Sequence, residues 1–304
     1  MHDLTRRDFT ALAAGLGAAS LLPALAAGQT AAAVLVTKAI PSTGERVPAV
    51  GLGTASVFDV GPDPTRRAAL AQVVRNLVEG GGSIIDTASS YGSAEGVVGD
   101  LVAQAGLRRK VFIATKLEAP DAAELRRSLQ RLHSEQVDLL QLHNVGDPKQ
   151  SLGQFRDWKA KGVCRYVGIT STYHGDYAAV EAVLTREKPE FVQIDYSLDD
   201  REAEKRVLPL AVEVRAAVLT ALPFGRSRLF RAVRGKALPE WAKEFDAGSW
   251  AQFFLKFLLG NAAVTAVIPG TADAAHMSDN LGAMRGRLPD AAERKRMVEF
   301  LQSL

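Results

Sequence analysis

The amino-acid sequence predicts an α/β protein built as one (β/α)8 TIM barrel with an N-terminal β-hairpin. Three observations carry that expectation. Eight apolar runs of strand length alternate with segments of helical period from Val50 onward. The runs are continuously apolar, as strands are when helices cover a parallel sheet. No Pro/Ser-rich linker or shift in composition divides the 304 residues, so the two domains that length alone permits are not expected. An open, doubly wound sheet is the competing arrangement.

The elements follow in order. The polar turn Ser42-Thr43-Gly44-Glu45 separates Val34–Ile40 from Val47–Leu52 and predicts the hairpin. The first four barrel strands are expected at Val50–Ala55, Ser83–Ala88, Val111–Leu117 and Val137–Val145. The other four are expected at Arg165–Ser171, Phe191–Ser197, Ala217–Pro223 and Ala263–Gly270. Asp63-Pro64 marks a helix start, an N-cap followed by proline at the first helical position. Asp121 and Glu124 have the spacing of a capping box. Two segments exceed a plain barrel: Phe224–Gly248 after the seventh strand, and a terminal helix over Pro289–Leu304. Gly51-Leu52-Gly53 is not a dinucleotide fingerprint, because Ser56 stands at the third glycine position and Phe58 to Pro64 interrupts the required strand-turn-helix.

Composition narrows the function classes. With 47% hydrophobic and 23% charged residues, the chain can bury a large core, which excludes disorder as its main state. A formal net charge of +3 spread over this length gives no argument for nucleic acid as a partner. Cys164 is the only cysteine, so an intramolecular disulfide and a Cys-based zinc site are both excluded. The five histidines are dispersed, and no metal site is expected. Nothing in the sequence fixes the oligomeric state, with a monomer favoured.

Thr5-Arg6-Arg7-Asp8-Phe9 precedes an apolar stretch from Ala11 to Ala27, with small residues at Ala24-Leu25-Ala26. This resembles a twin-arginine export signal. Residues 1–30 are therefore expected to be a cleaved signal peptide and residues 31–304 the barrel. An uncleaved membrane anchor is the alternative, weakened by Gly15, Gly17 and Pro23. The resemblance implies a cytoplasmic precursor that meets the twin-arginine export machinery already folded, and a periplasmic location. A chain without disulfides suits that route.

In a barrel of this kind, residues at the C-terminal ends of the strands converge on one mouth. Strand two ends in Ile84-Ile85-Asp86, followed by Thr87-Ala88-Ser89-Ser90-Tyr91; strand three ends at Lys116 and strand four at His143-Asn144. Taken singly, Asp86 reads as well as a turn cap, Lys116 as a surface residue, Tyr91 as a rim aromatic and His143 as structural. Jointly, at consecutive strand ends, they point to carbonyl reduction. Hydride goes to the carbonyl carbon and the oxygen needs a proton. A free phenol near pKa 10 is a poor donor. A lysine ammonium beside Tyr91 would lower that value, with Asp86 holding the lysine in place.

Asp86-Thr87-Ala88-Ser89-Ser90-Tyr91-Gly92, then Lys116 and His143, resembles the catalytic tetrad of the aldo-keto reductase family. Val50-Gly51-Leu52-Gly53-Thr54 is similar to the family's first strand, and Val167-Gly168-Ile169-Thr170-Ser171 to its fifth. Gln193 occupies the position of the family glutamine that holds the nicotinamide carboxamide. Ile268-Pro269-Gly270-Thr271, with His276, Asp279 and Asn280, is similar to the adenosine-phosphate segment. The resemblance implies Tyr91 as general acid, Lys116 as its tuner, Asp86 as the partner of Lys116 and His143 as the residue that positions the carbonyl. It implies NADP(H) as cofactor, with NAD(H) as the second possibility. The expected cofactor contacts are Gly53, Thr54, Asp86, Thr170, Ser171, Gln193, Phe224, Arg226, Gly270, Thr271, His276, Asp279 and Asn280. The expected substrate pocket comprises Phe58, Tyr91, His143 and Asn144, with Trp241 and Trp250 as further wall candidates.

Several positions depart from the family pattern. Ser171 replaces an asparagine, and the tyrosine usual near the end of strand seven is missing from Leu219-Thr220-Ala221-Leu222-Pro223-Phe224. Gly270 and His276 stand where a lysine and an arginine usually meet the 2′-phosphate. Arg226, Arg228 and Arg231 either restore that charge or form a solvated loop. Two other readings compete with an NAD(P)H-dependent reductase of aldehydes and ketones. One is a nucleotide-binding barrel without useful turnover. The other is a lyase or aldolase using Lys116 as a Schiff base, which needs a neutral amine that Asp86 opposes.

Overall fold

Successive residues of a strand point to opposite faces, so a period of two sorts the side chains of every barrel strand. A computed structural model describes residues 34–304, and the expected signal over residues 1–30 lies outside them. The hairpin pairs β1 (Thr37–Ala39) with β2 (Arg46–Pro48), antiparallel across the predicted turn. Gly44 supplies the φ of +79° that this turn requires. The parallel strands are β3 (Leu52–Gly53), β4 (Ile84–Asp86), β5 (Phe112–Leu117) and β6 (Val137–Leu142). They continue with β7 (Cys164–Ser171), β8 (Phe191–Asp195), β9 (Ala217–Ala221) and β10 (Val264–Val267).

These strands lie side by side in chain order in an 8-stranded sheet. Hydrogen bonds from last to first close it: Gly51 N–H donates to Val267 O at 2.9 Å, Val267 N–H to Ala49 O at 2.9 Å, and Gly53 N–H to Pro269 O at 3.0 Å. An open sheet would leave those edge groups unpaired, so the doubly wound alternative is excluded. A Cβ on Gly51 would lie 2.9 Å from both Ile268 Cδ1 and Ile84 Cβ, and glycine there lets the neighbouring strands approach.

Inside the barrel, Ile84, Phe112, Leu139, Tyr166, Phe191 and Leu219 form one buried cluster with Ile40 and Val47 of the hairpin, which closes the floor. Tyr166 and Phe191 meet edge to face with centroids 5.4 Å apart. The Tyr166 hydroxyl ties this floor to the hairpin turn through Thr43, at 3.0 Å, and Glu45. On the opposite strand faces, Ile85, Ile113, Leu140, Val167, Val192 and Val218 belong to the core between sheet and helices. Continued toward the mouth, the inward sequence Ile84, Phe112, Leu139 reaches Asp86, Lys116 and His143.

Helix starts follow their local chemistry. The Asp63 carboxylate accepts from the backbone of Thr65 at 2.9 Å and Arg66 at 3.0 Å, capping the helix Pro64–Glu79. At Asp121 only half of the expected box forms: its carboxylate accepts from Ala123 N–H at 2.7 Å, while Glu124 turns to Arg127 and Arg131. A complete box forms instead at Asp290 and Glu293, opening the terminal helix Ala291–Gln302.

Strands end sooner at the mouth than the apolar runs suggest. β6 stops at Leu142 because Asn144 turns the chain out of the ladder at φ +51°, and β9 stops at Ala221 before Leu222 at φ +52°. The second hairpin strand ends at Pro48, and Val50 joins the sheet only as an isolated bridge to Val267. The segment after β9 carries a short helix, Arg228–Ala232, and a 3₁₀ turn, Glu240–Phe245. Cys164 opens β7 in a buried position, and burial pushes its thiol up to about 12. No helix among the described residues is long and apolar enough to cross a membrane.

Candidate active site

The inward ends of neighbouring strands deliver a buried ion pair. Lys116 Nζ donates to Asp86 Oδ2 at 2.7 Å and to Thr87 O at 2.7 Å. The Lys116 and Asp86 side chains are 1% and 5% exposed. Gln193 Nε2 donates to the same Asp86 oxygen at 3.1 Å and Gln193 Oε1 accepts from Gln141 at 3.0 Å, which fixes the carboxylate from a third strand. Burial alone would push the Lys116 ammonium down. Asp86 and Tyr91 outweigh burial and leave its pKa above the ordinary lysine value. A lysine so held does not supply the neutral amine of a Schiff-base enzyme, and the lyase reading falls.

Tyr91 comes from the loop after β4, set by a tight contact with the loop after β3. Gly92 sits at φ +57°, and a Cβ there would lie 2.4 Å from Asp59 Oδ2. Asp59 Oδ1 accepts from Ser93 N–H at 2.9 Å and from Ser93 Oγ at 2.8 Å. Lys116 Nζ lies 5.1 Å from the centroid of the Tyr91 ring. Burial raises the Tyr91 phenol above its usual value, and the Lys116 charge offsets only part of that rise. The expectation that the lysine brings this phenol below the ordinary value is therefore corrected: desolvation wins.

His143 meets the Tyr91 ring edge to face, centroids 5.7 Å apart. Its Nδ1 lies 2.6 Å from Oε1 of Glu118, a residue that sequence reasoning missed. Period two from Lys116 was the available signal, since Ala114, Lys116 and Glu118 fall on one face. Burial and Lys116 hold His143 below the ordinary histidine value, against the pull of Glu118 and Asp86. Asn144 Nδ2 donates to the other Glu118 oxygen at 3.4 Å.

A cavity of about 310 Å³ opens beside this cluster. Gly53, Thr54, Asp86, Tyr91, Gln193, Phe224, Arg226 and Gly270 line it with Leu222, Ile268 and Thr172, the last of which the sequence did not single out. A second, of about 460 Å³, shares Phe224, Ser227 and Gly270 with the first and is walled by Trp250, Thr271, His276, Asp279 and Asn280. The two make an elongated cleft from the tetrad toward the helix Ala274–Gly282. Asp86 Oδ1 is buried at the tetrad end without a hydrogen-bond partner. A cleft of this length, with an orphaned acceptor and an apolar wall at one end, fits a dinucleotide.

Other predicted contacts either lie off the cleft or line it with their side chains already engaged. Ser171 Oγ donates to Asp176 Oδ2 at 2.7 Å, and Thr170, buried beside Gln193 in register, is not among the lining residues of either cavity. Thr54 Oγ1 is committed to Asp86 O at 2.9 Å. Asp279 is held by Ser249 at 2.8 Å and Gln252 at 2.7 Å. Phe58 is fully buried in the outer core, because the turn over residues 55–57 folds it back beneath Thr54. It does not line the cleft, contrary to expectation. Trp241 packs on Phe245, Phe253 and Phe300.

Of the three loop arginines, Arg226 lines the cleft, Arg228 is paired with Asp199 at 2.7 Å, and Arg231 donates to Arg226 O. His174 Nε2 lies 3.1 Å from Asp195 Oδ2 and 3.2 Å from Asp200 Oδ2 on the rim.

A closed barrel whose mouth gathers a phenol, an ammonium, a carboxylate and an imidazole beside a dinucleotide-length cleft defines a barrel oxidoreductase. Residues 49–299 match the aldo/keto reductase family, and the chain belongs to it. It is 29% identical over 258 residues to methylglyoxal reductase YeaE of Escherichia coli, covering 81% of this chain and 88% of that protein. Aldo-keto reductase YhdN of Bacillus subtilis is 27% identical over 68% of this chain and 66% of its own length. Among solved structures, the aldo-keto reductase of Klebsiella pneumoniae in complex with NADPH has the same fold, with a TM-score of 0.73 at 24% identity, covering 88% of this chain and 95% of that one.

Proposed function

We propose that the protein reduces small aldehydes and ketones to alcohols, reversibly, with NADP(H) as the nicotinamide carrier and NAD(H) as a second one. The observation that carries this reading is the buried Lys116–Asp86 pair beside Tyr91 at the tetrad end of the cleft. When bound, the dihydronicotinamide supplies hydride. Asp86, Gln193 and Gly53 would hold its ring end, and Thr271, His276 and Asn280 its adenosine end.

The proton comes from this chain. Tyr91 is protonated at neutral pH, and its hydroxyl passes the proton to the carbonyl oxygen. The phenolate left behind faces the Lys116 ammonium, which Asp86 keeps charged. His143 orients the oxygen that receives the proton. The Escherichia coli relative is named for methylglyoxal, and a small dicarbonyl suits a site that admits a reacting carbonyl at the cleft end.

Fluorescence titration with NADPH and NADH is expected to show saturable binding of both, followed by methylglyoxal-dependent oxidation. Absence of binding would sink this reading. Binding without turnover of any aldehyde would favour the non-catalytic nucleotide-binding barrel, which the departures at Gly270 and His276 keep in view.

Arg6-Arg7 and the apolar stretch that follows support export of the folded precursor by a twin-arginine route to the periplasm. Replacing both arginines by lysine is expected to strand the protein in the cytoplasm. Unchanged recovery in the periplasmic fraction would overturn export by this route.

A further inference from the structure

The neighbour of His143 imposes a constraint that the tetrad alone does not. Glu118 follows directly on β5, and His143 N–H donates to Leu117 O at 2.9 Å, so the backbone holds the two residues side by side. The Glu118 carboxylate then meets Nδ1 at 2.6 Å. An ionised carboxylate only accepts hydrogen bonds, so a contact this close places a proton on Nδ1. A neutral imidazole carries one N–H. With that proton on Nδ1, Nε2 presents a lone pair. A carbonyl oxygen also presents lone pairs, and the two cannot bond.

We propose that Glu118 is a positioning residue that fixes the tautomer of His143, so that the ring donates to the substrate oxygen through Nε2 only as imidazolium. This rests on the reading of His143 as the residue that orients the carbonyl. The charged groups that act on the ring are Lys116, Asp86 and Glu118; the Tyr91 ring meets it edge to face, Ser90 Oγ is 3.4 Å from Nδ1, and Asn144 shares the Glu118 carboxylate. Burial and Lys116 disfavour the imidazolium; Glu118 and Asp86 favour it. Ser90, His143 and Asn144 together outweigh burial at Glu118 and hold its carboxyl below the usual range, so the acceptor stays ionised around neutral pH. Carbonyl engagement then weakens as pH rises through the His143 ionisation. Tyr91, whose phenol titrates above its ordinary value, stays protonated over that interval.

The test has two arms. Long-range ¹H–¹⁵N spectra of the full chain labelled at histidine, with His143→Asn to assign the signal, are expected to show the Nδ1–H tautomer of neutral His143. An Nε2–H tautomer overturns the proposal whether or not the protein turns over. The second arm is Glu118→Ala, which removes the carboxylate that holds the proton on Nδ1 and lets it move to Nε2; the side chain is 52% exposed, so the fold is expected to tolerate it. Wild-type kcat/KM for methylglyoxal should fall by about tenfold or more between pH 6 and 9, and by less than about threefold in the variant. Parallel pH profiles overturn the proposal. Wild-type protein that binds nucleotide but reduces no carbonyl instead overturns the reductase reading, leaving the tautomer to be judged by the first arm.

Discussion

Tyr91→Phe is expected to lower carbonyl reduction by about 10³-fold, within the range a positioned general acid contributes, while nucleotide affinity changes by less than about twofold. The substitution removes one hydroxyl and keeps the ring. Its edge-to-face contact with His143 and the 5.7 Å spacing survive, as does the loop geometry imposed by Gly92 and Asp59. What is lost is the transferable proton and the oxygen that faces Lys116. The loss therefore belongs in kcat, with KM nearly unchanged. Single-turnover rates with bound NADPH, beside fluorescence titration, separate the two quantities. Wild-type rates in the variant would refute Tyr91 as the proton donor.

Asp86→Asn is the second large effect. Lys116 is 1% exposed, and Asp86 is its charged partner at 2.7 Å. Taking away one member of a buried pair strands the other, which costs about 3 kcal/mol or more. Urea denaturation at pH 7 should read that loss, alongside a fall in activity of about 10²-fold or more from a less cationic Lys116 facing the phenolate. The sign of the pH dependence follows from the raised lysine pKa in the folded protein. The stabilisation is complete below the ordinary lysine value near 10.5 and is lost as pH climbs through the higher folded value. On the alkaline side the gap between wild type and variant should thus persist through neutral pH and narrow in strong alkali. A variant as stable as wild type at pH 7 would show that the pair contributes nothing net.

The sequence carried the architecture because a fully covered parallel strand has a one-letter signature. Val137–Leu142 and Phe191–Asp195 put buried apolar residues on both faces, Leu139 and Phe191 inward with Leu140 and Val192 outward, a pattern that needs no tertiary knowledge to find. The tetrad was legible for a related reason. A polar residue at the inward-facing end of such a run points into the mouth, and Asp86, Lys116 and His143 meet there. Glu118 escaped notice since it lies past the strand, where the same period continues in a loop. Phe58 misled in the opposite direction: an aromatic in a mouth loop looks like a pocket wall, and only the turn over residues 55–57 decides that it faces the core. Ser171 was misplaced through direction, not proximity. It shares the strand face of Ile169, and its hydroxyl goes to Asp176. Charge balance across loops was also invisible, as Arg228 finds Asp199 only after folding.

The buried thiol of Cys164 makes the barrel convenient for spectroscopy. With its pKa pushed up to about 12, almost none of it is thiolate at the pH of a maleimide reaction. It is also the chain's only cysteine. A second one introduced on the exposed flank of the cleft, for example at Arg231, would take a fluorophore or spin label with no competing site. The protein can therefore be labelled beside its own mouth and titrated with nucleotide without a cysteine-free background having to be made first.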